Sequence, residues 1–311
     1  MKAAILKEFD KKLEIKDTDK PEVGEGEVLV KIKASGINPV DAKLSHGYMS
    51  DMIPHEFPIV LGWDMAGVVE ECGHAARTFR KGEEVYAYAR RPKLQHGTLA
   101  EYIVLPESYL SKKPVNINFE EASAIPLAGL TAYQSIFDAG DLGTDETILI
   151  LGASGGVGTF AVQLAKYKGS KVIAVASKSN HDYLKELGAD HCIDYKEQNV
   201  AEEVKKLTDG GVELAFDAVG GDTTKVGADC LKENGRLVSI ASQGDGLPEG
   251  TNFQFVFVEP NSRELNHIRE LVEAGTIKVP IQKVYDLDQV NEAFEQIETG
   301  HTTGKIVVTL N

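Results

Sequence analysis

Residues 149–158 read LILGASGGVG, an apolar run that leads into a glycine-rich turn and then into a helical stretch at 159–168. The glycines fall at positions 152, 155 and 158, with an additional one at 156. Glycines at this spacing permit a tight turn, a close approach of the backbone to a pyrophosphate, and close packing of the helix on the strand. The N–H groups of the first helical turn then bind the phosphates. The segment predicts a dinucleotide-binding loop; the alternative is a flexible turn without a ligand.

Apolar β-type runs and helical stretches alternate on both sides of this loop. The runs are at 147–151, 171–175, 192–193, 212–216 and 236–240, and the helical stretches are at 157–168, 181–187, 200–207 and 223–232. Strands that alternate with helices form a parallel sheet that is covered on both faces. We therefore expect an α/β domain with a doubly wound parallel sheet, the Rossmann arrangement.

The first third of the chain is β-rich instead. Residues 28–33 (VLVKIK) alternate in the period-two pattern of a half-buried strand, and further short apolar runs are separated by glycine turns. Many short strands of this kind indicate a partly open barrel or sandwich. The β-type residues 305–310 are too few to fold alone, so we expect them to rejoin the first domain. The predicted domains are 1–121 with 262–311, and an inserted dinucleotide-binding domain at 122–261.

The coenzyme is predicted from the end of the second strand of the nucleotide domain. An NAD-binding version has an acidic residue there to bond the ribose 2′-hydroxyl. Residues 175–180 read VASKSN and contain no acid. A 2′-phosphate would be attracted by Lys178 and bonded by Ser177, and Tyr195 follows the third strand at the same corner. We therefore expect NADPH; the alternative for Lys178 is a solvated surface lysine.

Composition and charge exclude several classes of function. The 311 residues include 33 Lys and Arg against 48 Asp and Glu, a net charge of −15, which disfavours nucleic-acid binding. The three cysteines are an odd number without a C-x-x-C pair, which favours a reducing compartment, the cytoplasm, over a disulfide framework. The start at 1–9 is charged, and the long uncharged run 147–165 contains four glycines. We expect neither a leader nor a membrane span.

Several further segments carry a family resemblance. Residues 124–133 (AIPLAGLTAY), the 152–158 loop and residues 162–166 (VQLAK) resemble the medium-chain dehydrogenase/reductase superfamily. Within it, the zinc-free quinone oxidoreductase and enone (alkenal) reductase branch is the most similar, in segments at 36–41, 62–69, 97–102, 216–221 and 304–307. The resemblance implies a GroES-like, partly open β-barrel catalytic domain with the Rossmann domain inserted into it. It also implies a homodimer, formed by sheet extension at residues 250–258.

The resemblance also implies roles for individual residues. Asn38 is expected near the nicotinamide ribose and the substrate mouth. The glycine loop, the end of the second strand of the nucleotide domain and the family resemblance together predict the residues that contact the coenzyme. These are Thr131, Ser154, Gly155, Gly156, Val157, Gly158, Ser177, Lys178, Tyr195, Val219, Ser239, Ile240 and Ala241. Tyr48 is a candidate donor to the acceptor oxygen; its alternative is an ordinary rim tyrosine.

The departures from the zinc-dependent alcohol dehydrogenases of the superfamily predict the chemistry. Those relatives have a cysteine ligand in place of Asn38 and a His-Glu pair in place of Trp63-Asp64, and their four-cysteine lobe has no counterpart near 88–100. Without such ligands no zinc ion polarises an oxygen. The expected reaction is zinc-independent hydride transfer from NADPH to a quinone or an α,β-unsaturated carbonyl, acceptors that need little acid help.

Some alternatives remain open at this point. The enzyme is alternatively a narrow 2-alkenal or enone reductase without quinone activity, or the chain is a non-catalytic NADPH-binding sensor. Asp41 and Lys43 are interpreted as an exposed pair, and Asp64 as a structural acid in a turn. Trp63 lines an apolar substrate pocket or packs in the core.

Overall fold

The computed structural model describes residues 1–310, which form two compact units. The first unit comprises residues 1–127, 259–275 and 279–310, and the second comprises 128–258 and 276–278. The strands are β1 (Lys2–Leu6), β2 (Glu14–Asp17), β3 (Glu27–Ile37), β4 (His55–Val60), β5 (Asp64–Cys72), β6 (Glu84–Tyr88), β7 (Leu94–His96), β8 (Tyr102–Pro106), β9 (Ser111–Lys112), β10 (Thr147–Leu151), β11 (Lys171–Val175), β12 (His191–Ile193), β13 (Val212–Asp217), β14 (Leu231–Ser239), β15 (Phe253–Phe255), β16 (Ile281–Asp286) and β17 (Lys305–Thr309).

The α-helices are short to medium in length. They are α1 (Pro39–Ser45), α2 (Phe119–Ser123), α3 (Pro126–Tyr133), α4 (Gly156–Lys168), α5 (His181–Glu186), α6 (Val200–Leu207), α7 (Asp222–Asp229), α8 (Ser262–Glu273) and α9 (Val290–Glu298). None of the helices in residues 1–310 combines the length and hydrophobicity that a membrane crossing requires.

The second unit contains a six-stranded sheet in the order β12-β11-β10-β13-β14-β15, with every neighbouring pair parallel. Both β10 and β11 end in four consecutive buried residues, because a sheet covered on both faces buries both sides of its strands. The strand order reverses between β10 and β13, the position where doubly wound sheets bind ligands. The predicted Rossmann sheet is confirmed.

The predicted C-terminal end of one helix in this unit is wrong. The sequence favours a helix over 223–232, but α7 ends at Asp229 and β14 begins at Leu231. The pairing of β13 with β14 shifts register between Val212 and Leu214, so the first part of β14 is irregular. Asn234 takes a positive φ of 62° inside it. The apolar run at 236–240 therefore predicts too short a strand, because β14 already pairs with β13 five residues earlier, before the bulge.

The first unit is built from two sheets. A four-stranded sheet has the order β2-β1-β4-β7, and a larger one follows the path β16-β17-β3-β5-β6-β9, with β8 paired to β3. The C-terminal β17 is antiparallel to β3, with Ile306 opposite Ile37, so the prediction that this strand rejoins the first domain is confirmed. Two further elements are not predicted from the sequence: β16, which lies parallel to β17, and helix α9 between them.

Candidate functional site

The glycine loop of the second unit lies at the carboxyl end of β10. Gly152 leaves the strand with φ 78°, and α4 begins at Gly156, with Gly155 as its extended N-cap residue. A Cβ added at Gly158 would lie 2.4 Å from the Gly152 carbonyl oxygen, so the helix packs directly on the turn. At Gly155 the nearest atom to an added Cβ is 3.4 Å away, which leaves open space beside the loop. These features fit the pyrophosphate of a dinucleotide.

A polar corner follows β11. Asn180 Nδ2 donates hydrogen bonds to Ser154 Oγ at 3.1 Å and to Ser177 Oγ at 3.3 Å, and the hydroxyls of Ser177 and Ser179 are 3.2 Å apart. The structure therefore joins two residues that the sequence predicted, Ser154 and Ser177, through one that it missed. Asn180 is the last residue of the stretch VASKSN, which also contains Lys178 and has no acidic residue. Its position in that stretch is the sequence feature that could have indicated a role for Asn180. The Lys178 side chain is exposed at this corner.

Tyr195 lies at the same edge of the sheet. It follows β12, whose Ile193 pairs with Val175 at the end of β11. Its side chain is 56% exposed, and the Lys196 ammonium lies 5.9 Å from its ring centroid. Its exposure leaves the ring accessible to a ligand at the carboxyl ends of β11 and β12.

A buried carboxylate organises the loops after β13 and β14. Asp217 Oδ1 accepts hydrogen bonds from Val219 N and Gly220 N at 3.0 Å each, and Oδ2 accepts from Thr224 Oγ1 at 2.6 Å and Ser239 Oγ at 2.9 Å. Asp217 is not among the predicted site residues, although an acid that ends an apolar strand before Ala-Val-Gly-Gly is a visible signal. Asp217 thus holds the ends of both strands together.

The predicted coenzyme residues around Asp217 differ in exposure. Val219 is 55% exposed, and its Cγ2 lies 2.8 Å from the Cβ position of Gly152, directly over the glycine turn. Ser239 is fully buried; its hydroxyl donates to Asp217 and accepts from Ala241 N at 3.2 Å. Ser239 therefore supports the loop that carries Ile240 and the exposed Ala241. Thr131 is buried within α3.

The first unit contains a buried polar cluster, which we call the Asn38 cluster, made of Asn38, Asp41, Asp64 and Lys305. Each side chain is at most 3% exposed. Asn38 Nδ2 donates to Asp64 Oδ2 at 2.9 Å, and Lys305 Nζ donates to Asn38 Oδ1. The Asn38 backbone N–H donates to Asp41 Oδ2 at 2.8 Å at the start of α1. The Asn38 amide thus connects an ammonium to a carboxylate.

The sheet of the first unit brings these residues together. Asn38 follows β3 directly, and the antiparallel pairing of β17 with β3 sets Lys305 beside it. Asp64 is the first residue of β5, which also pairs with β3. Its Oδ1 accepts the Leu127 N–H at 2.7 Å, in the first turn of α3. Three strands of one sheet therefore fix the cluster.

Burial dominates the electrostatics of this cluster. It raises the pKa of Asp41 to about 7 and the pKa of Asp64 to about 6, although Lys305 favours the charged form of both carboxylates. Burial also lowers the pKa of the Lys305 ammonium against the opposing effect of Asp64 and Asp41. Lys305 Nζ is 3.7 Å from Asp64 Oδ2. Asp64 therefore pairs with the ammonium, and Asp41 binds a proton more readily than an ordinary aspartate.

Two family models match the chain: an alcohol dehydrogenase GroES-like domain at residues 24–115 and a zinc-binding dehydrogenase at residues 187–308. The chain is 37% identical to the NADPH-dependent alkenal/one oxidoreductase, chloroplastic, of Arabidopsis thaliana, over 93% of this chain and 73% of that protein. It is 32% identical to the mitochondrial NAD(P)H oxidoreductase RTN4IP1 of Danio rerio, over 91% of this chain and 84% of that one. The quinone oxidoreductase structure from Coxiella burnetii has a TM-score of 0.88 at 31% identity and covers 100% of this chain and 99% of that chain.

The chain belongs to the medium-chain dehydrogenase/reductase superfamily. It is an oxidoreductase, and both the predicted family and the predicted combination of a Rossmann sheet with a GroES-like unit are confirmed. Within residues 1–310 of this dehydrogenase/reductase, no three His, Cys, Asp or Glu side chains are grouped so as to hold a metal ion.

Two expectations for the first unit of this dehydrogenase/reductase are wrong. Asp41 is not half of an exposed pair with Lys43: it is fully buried and accepts the Asn38 N–H, while Lys43 is exposed. A polar pair at i and i+2 on a helix points in different directions, so a pair was not to be expected there. Asp64 does not lie in a turn, since it begins β5.

The aromatic candidates of the dehydrogenase/reductase have opposite environments. Trp63 is 4% exposed, packs edge-on against Tyr88 with ring centroids 6.0 Å apart, and lines a recess with Arg91 and His96. It thus belongs to the core and also to the wall of that recess. Tyr48 is 76% exposed in the turn after α1, and no hydrogen bond joins it to the Asn38 cluster in the part of the chain that the structure describes. Its role as an oxygen donor stays a prediction.

Proposed function

We propose that the chain is an NADPH-dependent, zinc-independent oxidoreductase that transfers hydride to a quinone or an α,β-unsaturated carbonyl. The observation that carries this proposal is the Asn38 cluster. Asn38 and Asp64 stand at positions where zinc-dependent members of the superfamily have ligands, and here they bond to each other, to Lys305 and to the Leu127 N–H. A site with fixed hydrogen-bond donors and no Lewis acid suits an acceptor whose conjugation already lowers the barrier to hydride attack. The names of the relatives support the same acceptor classes.

A zinc ion does not fit these residues. Asn38 Oδ1 accepts from the Lys305 ammonium, and both oxygens of Asp64 accept N–H groups. Trp63 offers only an N–H donor, whereas zinc needs thiolate, imidazole or carboxylate ligands. A divalent cation would also be repelled by the ammonium at its side.

The residues of this chain perform the remaining tasks of the reaction. The N-terminus of α4 binds the pyrophosphate, and Ser177, Lys178 and Asn180 bind the 2′-phosphate. NADPH, when bound, supplies the hydride. The conjugated carbon of the acceptor gains a C–H bond, its π electron pair moves to the oxygen, and the Asn38 N–H stabilises the negative charge that develops there. Water then protonates the resulting enolate, at carbon for an unsaturated carbonyl and at oxygen for a quinone, whose ring carbon afterwards loses one proton to water and gives the hydroquinone.

Replacing Lys178 tests the coenzyme assignment. We expect Lys178→Ala to weaken NADPH binding by about 1.5–3 kcal/mol and to leave NADH binding unchanged, because only NADPH carries the 2′-phosphate. Titration of both coenzymes by calorimetry measures this. Lys171→Ala, at the exposed opposite end of β11, is the matched control and should alter neither affinity. Equal losses for both coenzymes would show that Lys178 does not meet the 2′-phosphate.

Metal analysis tests the zinc-independent part of the proposal. After dialysis without chelator the pure protein should contain no stoichiometric zinc and should keep full reductase activity. Added zinc should not raise that activity. About one zinc per chain, with activity lost on its removal, would overturn the assignment.

Acceptor turnover is the direct test of function. We expect loss of NADPH absorbance with a quinone and with a short 2-alkenal, and none with a saturated aldehyde, which lacks conjugation. Turnover of the alkenal alone would indicate the narrow 2-alkenal or enone reductase. Tight NADPH binding without turnover of any of the three would favour the NADPH-binding sensor.

We also propose a cytoplasmic homodimer. The free cysteines Cys72, Cys192 and Cys230 fit a reducing compartment. Strand β15 is the terminal strand of the nucleotide sheet, and Phe253 and Phe255 are only partly buried, which suits extension of the sheet across a two-fold axis. Light scattering at micromolar concentration should give twice the chain mass; the mass of one chain would refute the dimer.

A further inference from the structure

The hydrogen bonds of Asn38 leave its side-chain amide a single orientation. Its carbonyl oxygen accepts from the Lys305 ammonium, and its Nδ2 donates to the Asp64 carboxylate at 2.9 Å. A rotation by 180° would put the amide hydrogens against the ammonium and the amide oxygen against the carboxylate. Both new contacts would be repulsive in a site where every member is at most 3% exposed. The ion pair therefore determines which way the amide points.

The ion pair itself is anchored on both sides. Asp64 Oδ1 accepts the Leu127 N–H at 2.7 Å, and Lys305 Nζ lies 3.4 Å from the Ile37 carbonyl oxygen. Neither side chain can follow a movement of Asn38 without breaking these contacts. A buried ion pair contributes little net stability compared with an apolar pair, so orientation is the clearer consequence of this one.

One amide hydrogen of Asn38 is left over. Nδ2 carries two hydrogens, and among residues 1–310 its one hydrogen bond goes to Asp64. The ammonium at the carbonyl oxygen draws electron density from the amide, which makes the second N–H a stronger donor. A preoriented, polarised N–H group is the kind of donor that stabilises negative charge developing on an oxygen.

We propose that Asp64 and Lys305 are positioning residues, which orient and polarise the Asn38 amide so that its second N–H serves the acceptor oxygen. This inference rests on the proposed function, because it names the residues that prepare the same donor. The ammonium acts through Asn38 and forms no bond to the acceptor.

The decisive variant combines Lys305→Met with Asp64→Asn. It removes both charges of the ion pair together, so neither partner is left buried without the other, and the new amide still offers an acceptor for the Leu127 N–H. We expect its kcat with the quinone and the 2-alkenal to fall by about 100-fold, with the NADPH dissociation constant unchanged. Asn38→Ala should lower kcat to a similar extent. Adding Asn38→Ala to the double variant should cost little more, because all three changes remove the same donor.

A double variant with the kcat of the parent, or losses that multiply in the triple variant, would overturn the inference. A second measurement does not depend on turnover. The side-chain amide hydrogens of Asn38, assigned by their loss in Asn38→Ala, should exchange slowly with solvent in the parent and fast in the double variant. Unchanged exchange would also overturn it. If the parent turns over no acceptor, but its Asn38 amide hydrogens exchange slowly and those of the double variant exchange fast, the proposed function is refuted. The orientation of Asn38 by the ion pair is then still supported.

Discussion

Gly158→Ala will destabilise the nucleotide-binding unit and abolish NADPH binding, whereas Gly155→Ala will abolish binding alone. A Cβ at Gly158 lies 2.4 Å from the Gly152 oxygen and 2.6 Å from the Ala153 Cα, which are backbone atoms that cannot move aside. Overpacking of this kind costs about 1–3 kcal/mol. A Cβ at Gly155 has no atom nearer than 3.4 Å, and its φ of −74° suits alanine. It therefore fills only the space that we propose for the pyrophosphate.

Thermal unfolding and NADPH titration of both variants measure this pair. Gly155→Ala should keep the unfolding free energy within about 0.5 kcal/mol of the parent and lose NADPH affinity by at least 100-fold. Gly158→Ala should lower both the unfolding free energy and the NADPH affinity. An unaltered NADPH affinity in Gly155→Ala would place the pyrophosphate elsewhere and contradict the coenzyme site.

Asp41→Asn will remove a large part of the pH dependence of stability between pH 4 and pH 7. Burial raises the pKa of Asp41 from 3.8 to about 7, with Asp64 adding to the increase and Lys305 opposing it. Below pH 3.8 Asp41 is protonated in both the folded and the unfolded chain, so its full contribution to the unfolding free energy is present. Between pH 3.8 and 7 the unfolded chain loses its proton and the folded chain keeps it. The unfolding free energy of the parent therefore falls as the pH rises, by about 4 kcal/mol in total.

Urea unfolding of the parent and of Asp41→Asn across pH 4–8 tests this. Asparagine keeps an oxygen that accepts the Asn38 N–H and cannot ionise, so the stability of the variant relative to the parent should rise with pH and level off above 7. Any constant difference from the changed side chain drops out of this comparison. Exposed Asp51→Asn is the control and should run parallel to the parent. Parallel curves for Asp41→Asn would show that Asp41 ionises as an ordinary aspartate in the fold.

Local patterns in the sequence predict the nucleotide-binding unit well. Strands β10 and β11 and helix α6 have the predicted bounds, because their burial and periodicity are repeated over neighbouring residues. The glycine spacing similarly predicts the turn, because each glycine is at a position where a side chain would clash with neighbouring residues of the chain or with the proposed pyrophosphate. The bulged start of β14 was missed because the pairing of Leu231 with Val212 is not visible in the local pattern.

The acceptor side was predicted only in part. The resemblance of residues 36–41 to a family loop indicates Asn38, but the local sequence does not distinguish a buried Asp41 from an exposed one and gives Lys305 no role. Lys305 and Asn38 are 267 residues apart in the chain and adjacent in the sheet. A single lysine at the start of the apolar run KIVVT is the one local sign that it is buried.

The sequence by itself determined the Rossmann sheet, the glycine loop, the absence of an acid after the second strand and the family. These depend on the order and spacing of neighbouring residues, which set backbone conformation and burial locally. Only the tertiary structure decided which charges meet Asn38, because the register of β17 and β5 on β3 is set by the packing of the whole sheet. It also decided how strongly those charges are desolvated. The pKa of Asp41 and the orientation of the Asn38 amide follow from both.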